Sequence, residues 1–421
     1  MTATTAAIRW SAWFDDRDLE LTFPDGWSVR TCPPADGPDL GDGAIVAAVR
    51  NPIGTPPLRE LARGKRAPCI VIDDLSRPTR GDRLLPVVLD ELAAAGIDPQ
   101  DVRVLVGVAN HRTLMRADLE KKLGARALRT CRVRNHFSWA GCTRVGTTSR
   151  GTPIEVNDLF LAADLRILVG SIVPHPVAGF SGGAKMVLPA VSSIHAATAF
   201  HTGVPVAGET VGTAETVARR DAEEAARHVG VDFILNTVTT SRRGIAGVVA
   251  GDLVAAHRAG VEIAARVYDT AAPAGADICV LSSYPKDNEF LQYAAAFTPL
   301  QSAPEPLVRP GGSVVMASAA SEGPGFHSLF GPGMRFGGRL PRPPGECELA
   351  FFAPGVSPGD LPDPDRDAVP LFDTWEQTEK WLVARHGRHA EVTVFPCAVT
   401  QLVRVSPRAD RRDRPRGRVP H

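Results

Sequence analysis

The stretch APCIVIDDLSRPTR (67–80) runs from an apolar, β-branched block straight into acids, a hydroxyl and an arginine. A short apolar run that ends in chemistry reads as a buried strand delivering side chains to a ligand. The pattern recurs. DVRVLVGVANH (101–111) and DLRILVGSIVPH (164–175) are two more such runs, and LLPVVLDELAAAGI (84–97) between the first two has helical apolar spacing and a glycine stop. Continuous apolar strands alternating with helices indicate a parallel sheet covered on both faces. The fold class expected is α/β, with mostly parallel sheets.

Ligands in such sheets sit beyond the carboxyl ends of the strands. Three consecutive strand ends would therefore bring Asp74, Arg77, His111 and His175 to one edge. Paired histidines there suit acid/base catalysis, because the imidazole pKa lies near working pH. Elsewhere the readings are plainer. His386, His389 and His421 lie in hydrophilic surroundings, and His228 and His257 sit on amphipathic helices as surface or satisfied core residues. In SSIHAATAFHTG (192–203), His195 and His201 fall about 120° apart on a helix, so at most one faces the site. His201, at the helix end, is the better metal-ligand candidate.

The chain has 421 residues, which at about 150 residues per domain suggests two or three domains. A second set of strands, ADICVLSSYP (276–285), GSVVMASAA (312–320), CELAFFAP (347–354) and EVTVFP (391–396), follows helices at 214–229 and 253–268. Short strands are also read at 8–14, 19–24 and 27–32. The boundary is placed near 267–275, giving units 1–268 and 269–405, with an arginine-rich tail, 406–421, expected to be disordered. Residues 321–345, rich in Gly, Pro and Arg, read as an irregular loop or lid.

Lysine plus arginine equals aspartate plus glutamate at 47 each, so no net field favours nucleic acid. Seven dispersed cysteines without a CxxC pair indicate neither a disulfide framework nor a zinc site. No leader pattern and no apolar run of membrane-spanning length is present, so a cytoplasmic protein with no membrane partner is expected.

PHPVAGFSGGAKMVLPA (174–190) places Lys185 after a glycine pair. The phosphate-loop pattern needs glycine before the lysine and Ser or Thr after it; Ala184 and Met186 stand there instead. The backbone N–H groups of such a glycine turn can still hold an anion.

Taken together, DDLSRPTR (73–80), VANHR (108–112), GTPIEVN (151–157), SIVPHPVAGFSGGAK (171–185), His201, SSYPKDNEFLQ (282–292) and DTWEQTEKWL (373–382) resemble the lactate racemase family, from about residue 10 to 400. These are 2-hydroxyacid racemases and epimerases that use a nickel-pincer nucleotide. The resemblance implies two α/β domains with the active site in the cleft between them: 1–268 holds the cofactor, and 269–405 completes the substrate pocket. It implies a pyridinium-3-thioamide-5-thiocarboxylate mononucleotide carrying nickel, supplied by cofactor-synthesis enzymes and tethered to Lys185. Ser181, Gly182 and Gly183 would cradle it, with Asp74 on the cofactor side and His201 ligating the metal. His111 and His175 would be the acid/base pair acting on a small 2-hydroxy acid. Arg77, Gln292 and Trp375 would hold that substrate.

The sequence departs from the family pattern at Ala184, Ala190 and Ala295. Lactate-type members place a second substrate-anchoring lysine at the position of Ala295. A larger or more apolar acid than lactate, or a sugar-acid-like one, is therefore expected. Two other readings stand beside this one. One is a metal hydrolase using His111, His175 and His201; the other is a non-catalytic homologue that binds cofactor or ligand.

Overall fold

The structure is a computed structural model that describes residues 4–202, 210–331, 334–335 and 337–405. The tail reading, 406–421, lies outside the described residues. Two six-stranded sheets organise the chain.

The first runs in the order Ile245–Gly251, Phe233–Thr239, Leu165–Ser171, Pro68–Asp73, Arg103–Gly107, Arg132–Asn135. All its pairings are parallel except that of the outer strand Ile245–Gly251. Every residue of Pro68–Asp73 and of Phe233–Thr239 is buried, as expected for strands covered on both faces. The helix after the first strand, Gly81–Ala94, buries Leu84, Leu85, Val88 and Leu92 against the sheet and stops before Gly96.

One strand is shorter than the sequence suggests. Leu165–Ser171 ends early, and Pro174–His175 pairs antiparallel with Gly179–Phe180 as a separate small ladder. Prolines at 174 and 176 cannot donate to a sheet, so the chain folds back and His175 rides on this hairpin.

The second sheet is wholly parallel, in the order Leu371–Phe372, Glu348–Phe352, Val308–Ala317, Ala276–Ser282, Glu391–Phe395, Ser28–Thr31. Its last member differs from the continuous 1–268 unit expected from the sequence. Ser28–Thr31 pairs with Glu391–Phe395, and the hairpin Thr4–Trp10/Arg17–Phe23 packs Ile8, Trp10 and Phe23 against Val280, Phe352 and Trp375. Among the described residues the apolar face of that hairpin packs on the second sheet, so residues 4–10 and 17–31 join it, while Ala12 and Trp13 pack in the core of the first. Between Asp269–Ala272 and Leu402–Val405 runs a further parallel pair. All seven cysteines are free, and among the described residues no helix is long and apolar enough to cross a membrane.

Candidate active site

The carboxyl ends of the central strands of both sheets open on one cavity of about 630 Å³. Asp74 follows Pro68–Asp73, and His111 follows Arg103–Gly107. Their side chains meet: Asp74 Oδ2 lies 2.7 Å from His111 Nδ1. The other oxygen, Oδ1, accepts from Ser76 N–H at 2.9 Å and from Ser76 Oγ–H at 2.5 Å. Arg77 Nη1 donates to Ser76 Oγ at 2.8 Å, which closes the network. Burial alone would raise the Asp74 carboxyl, but His111, Arg77 and Ser76 hold it well below the usual carboxylate range. An ionised carboxylate on Nδ1 keeps the His111 proton there and leaves a lone pair at Nε2. Gln292 Nε2 sits 3.3 Å from that lone pair as its donor.

Lys122, fully buried, supports this loop from below, and sequence reasoning missed it. Its ammonium pairs with Asp73 at 2.6 Å and donates to the carbonyls of Asp74 (2.7 Å) and Arg77 (3.1 Å). Nothing in the helical pattern Arg116–Thr130 distinguishes it from its neighbour Lys121.

The glycine segment is held from behind. Arg219, wholly buried, donates to the carbonyls of Phe180 and Gly182, and His257 Nε2 donates to Ser181 O at 2.9 Å. Gly183 N–H goes to Asn236 Oδ1 at 2.8 Å. Gly182 and Gly183 have φ of +74° and +54°, and a Cβ on either would meet Asn236 Oδ1 or the His257 ring at 2.9 Å. Glycine is required here for both conformation and space. Ser181 and Gly182 line the cavity, whereas Gly183 lies just behind it.

Lys185 follows in a short 3₁₀ turn and points its ammonium into the cavity. Among the described residues it has no hydrogen-bond or ion-pair partner; Nζ lies 4.9 Å from the centre of the Phe200 ring. Burial, reinforced by Arg219 and Arg77, pushes it well below the usual lysine value. An amine whose charged form is disfavoured by burial, and which has no partner among the described residues, is suited to act as a nucleophile in covalent attachment.

His201 ends the helix Ile194–His201 and donates from Nδ1 to Ala197 O at 2.7 Å, and among the described residues Nε2 has no partner. Burial and the Lys185 charge bring it down to about 4, so the ring is neutral, as a metal ligand must be. The other histidine of that helix, His195, is exposed beside Glu155, away from the cavity. Among the described residues no three His, Cys, Asp or Glu side chains are grouped to hold a metal. A metal at His201 would therefore need further ligands brought by another molecule. The metal-hydrolase alternative, with His111, His175 and His201 as a ligand set, lacks that grouping.

His175 reaches the cavity, but its Nδ1 accepts from Val177 N–H (3.1 Å) and Ala178 N–H (3.2 Å). The neutral ring thus carries its proton on Nε2. Burial and the charges of Lys185, Lys286 and Arg77 press it well below the usual histidine value. From the second sheet come Gln292, Ala295 and Lys286, whose ammonium is buried and has no partner among the described residues. A further histidine, His327, also lines the cavity. It sits in the Gly/Pro-rich stretch 321–345, where no periodicity marks it.

Trp375 is not brought to the site. Its Nε1 donates to Thr22 O at 2.7 Å, and its ring packs edge-on against Phe23 and Phe352 in the second sheet's core. The Thr374 capping box starts its helix there, facing the N-terminal hairpin.

Comparison with known proteins agrees with this architecture. The family model described as the lactate racemase N-terminal domain matches residues 14–212. Lactate racemase of Lactiplantibacillus plantarum is 29% identical over 389 residues, 86% of this chain and 90% of that protein. Lactate racemase of Thermoanaerobacterium thermosaccharolyticum is 31% identical over 293 residues, 68% of this chain and 67% of that protein. Among solved structures, the lactate racemase apoprotein of the latter organism shares the fold with a TM-score of 0.73, at 23% identity, over 95% of this chain and 100% of that one. A Thermotoga maritima protein shares it with a TM-score of 0.62, at 17% identity, over 88% and 100%. The chain belongs to the lactate racemase family.

Proposed function

We propose that this chain is a racemase or epimerase of 2-hydroxy acids that works with a nickel-pincer nucleotide joined to Lys185. The observation that carries the reading is Lys185 itself: a buried amine without a partner among the described residues, opening on the same cavity as the Asp74–His111 pair and His201, whose Nε2 has no partner among those residues. Ser181 and Gly182 border the attachment point, and Arg219, His257 and Asn236 hold them in place. When bound, the group supplies the hydride acceptor that no side chain offers.

The chain's own residues handle charge and protons. Arg77 offers a cation for the substrate carboxylate, and Lys286 lines the same cavity. His111 takes the hydroxyl proton at Nε2, and Asp74 stabilises the imidazolium that results. His175 is the second histidine of the acid/base pair, presenting Nε2–H to the cavity. For His175 to carry a second proton, Nδ1 must give up two backbone N–H bonds, a cost of about 1–3 kcal/mol. Leu291, Ala294, Ala295 and Phe297 form an apolar wall, which suits a substrate with a larger side chain than lactate.

Expression alongside the cofactor-synthesis enzymes tests the reading by intact mass and metal content. A mass increment with stoichiometric nickel, both lost in Lys185→Ala, is expected. Zinc without any adduct would overturn it. Clear preference for lactate over 2-hydroxy-4-methylpentanoate would overturn the assignment of substrate size.

A further inference from the structure

His327 carries the same backbone device as His175. Its Nδ1 accepts from Leu329 N–H at 3.1 Å and Phe330 N–H at 3.2 Å. A ring nitrogen that accepts two backbone N–H groups has no proton of its own, so the neutral ring is protonated at Nε2. Among the described residues that Nε2–H has no acceptor, although the ring lines the cavity. The segment that carries it is not a remote flap. His111 and His327 form an antiparallel bridge, Ser328 N–H donates to Asn110 O at 2.8 Å, and the two imidazole centroids are 5.1 Å apart.

Side by side, therefore, stand the Nε2 lone pair of His111, which the Gln292 amide meets at 3.3 Å until a substrate hydroxyl takes its place, and an unused N–H on His327. A hydroxyl group gives and accepts at one oxygen, so it complements such a pair; a carboxylate, which only accepts, does not. We infer that His327 is a substrate-positioning residue whose Nε2–H donates to the hydroxyl oxygen that His111 deprotonates. This rests on the 2-hydroxyacid reading and adds a recognition element from the 321–345 segment. The contact persists as the hydroxyl becomes a ketone, since the ketone oxygen still accepts.

Two substitutions separate this role from a structural one. Asparagine keeps an acceptor for the Leu329 and Phe330 N–H groups but is too short to replace Nε2–H; glutamine restores an amide N–H at greater reach. In cofactor-loaded protein with 2-hydroxy-4-methylpentanoate, His327→Asn is expected to raise KM about tenfold with kcat within twofold and an unchanged melting temperature. His327→Gln should recover part of the KM. Wild-type KM in His327→Asn would overturn the inference alone, while a wild-type enzyme that turns over no 2-hydroxy acid would overturn it together with the functional reading. Independently of activity, ¹⁵N-histidine NMR of the protein should show His327 protonated at Nε2, and a proton on Nδ1 would overturn the inference.

Discussion

Replacing Asp74 with asparagine keeps the shape of the site and changes which nitrogen of His111 carries the proton. The carboxylate takes the Nδ1 proton at 2.7 Å and is itself anchored by Ser76 N–H and Oγ–H. In Asp74→Asn the side-chain carbonyl stays toward Ser76, and the amide NH₂ faces His111. A donor there moves the imidazole proton to Nε2 and removes the lone pair that takes up the hydroxyl proton. Loss of a charged hydrogen bond alone, worth roughly 1.5–3 kcal/mol, slows the reaction about 10- to 150-fold. The tautomer reversal adds to this and can bring the loss to about 10⁴-fold, as in a serine protease triad. Because Asp74 spends its oxygens on Ser76 and His111, KM should stay within about threefold and the cofactor adduct should remain. Initial racemisation rates by chiral chromatography, with adduct and nickel quantified on the same sample, read the effect. Wild-type kcat in fully loaded Asp74→Asn would refute the assignment of His111 as base.

Lys122→Met leaves Asp73 buried without its cation and frees the Asp74 and Arg77 carbonyls; a loss of about 3–5 kcal/mol is expected by urea unfolding, and a loss below about 1 kcal/mol would contradict the support role. Trp375→Phe should lower the melting temperature through its lost bond to Thr22 O and its ring contacts while leaving KM unchanged; a raised KM would return Trp375 to the substrate pocket. Burial holds His136 neutral in the fold, down to about 4, although unfolded chains protonate it near 6.5. The unfolded state thus binds more protons below that value, so its contribution to stability falls as pH drops from about 6.5 toward 4, by about 1.4 kcal/mol per pH unit. Melting temperatures between pH 7 and 5 should decline less steeply in His136→Asn than in the wild type, and equal slopes would contradict this.

Much of the architecture is legible in the sequence, for identifiable reasons. Strands buried on both faces, such as Pro68–Asp73, show as unbroken apolar runs, and their polar ends fall together because parallel strands all finish on one side. That logic alone brings Asp74, Arg77 and His111 together. It misplaces the route of His175, which reaches the same cavity through a proline-flanked hairpin rather than a strand end. The pairing of Ser28–Thr31 with Glu391–Phe395 is invisible locally, since a parallel partner about 360 residues away leaves no periodic trace. Trp375 illustrates a motif match that indicates membership without indicating function in the pocket. Arg219 and His327 act through backbone carbonyls and N–H groups, as Lys122 does in part, and such partners have no side-chain signature to read.

The central claim is that configuration is inverted by moving a hydride out and back, not by exchanging a Cα proton with water. Cofactor-loaded enzyme incubated in H₂O with a 2-hydroxy acid deuterated at C2 tests it most directly. Racemised product that retains its deuterium at C2 is the predicted result; product with the label washed out into solvent would contradict the account.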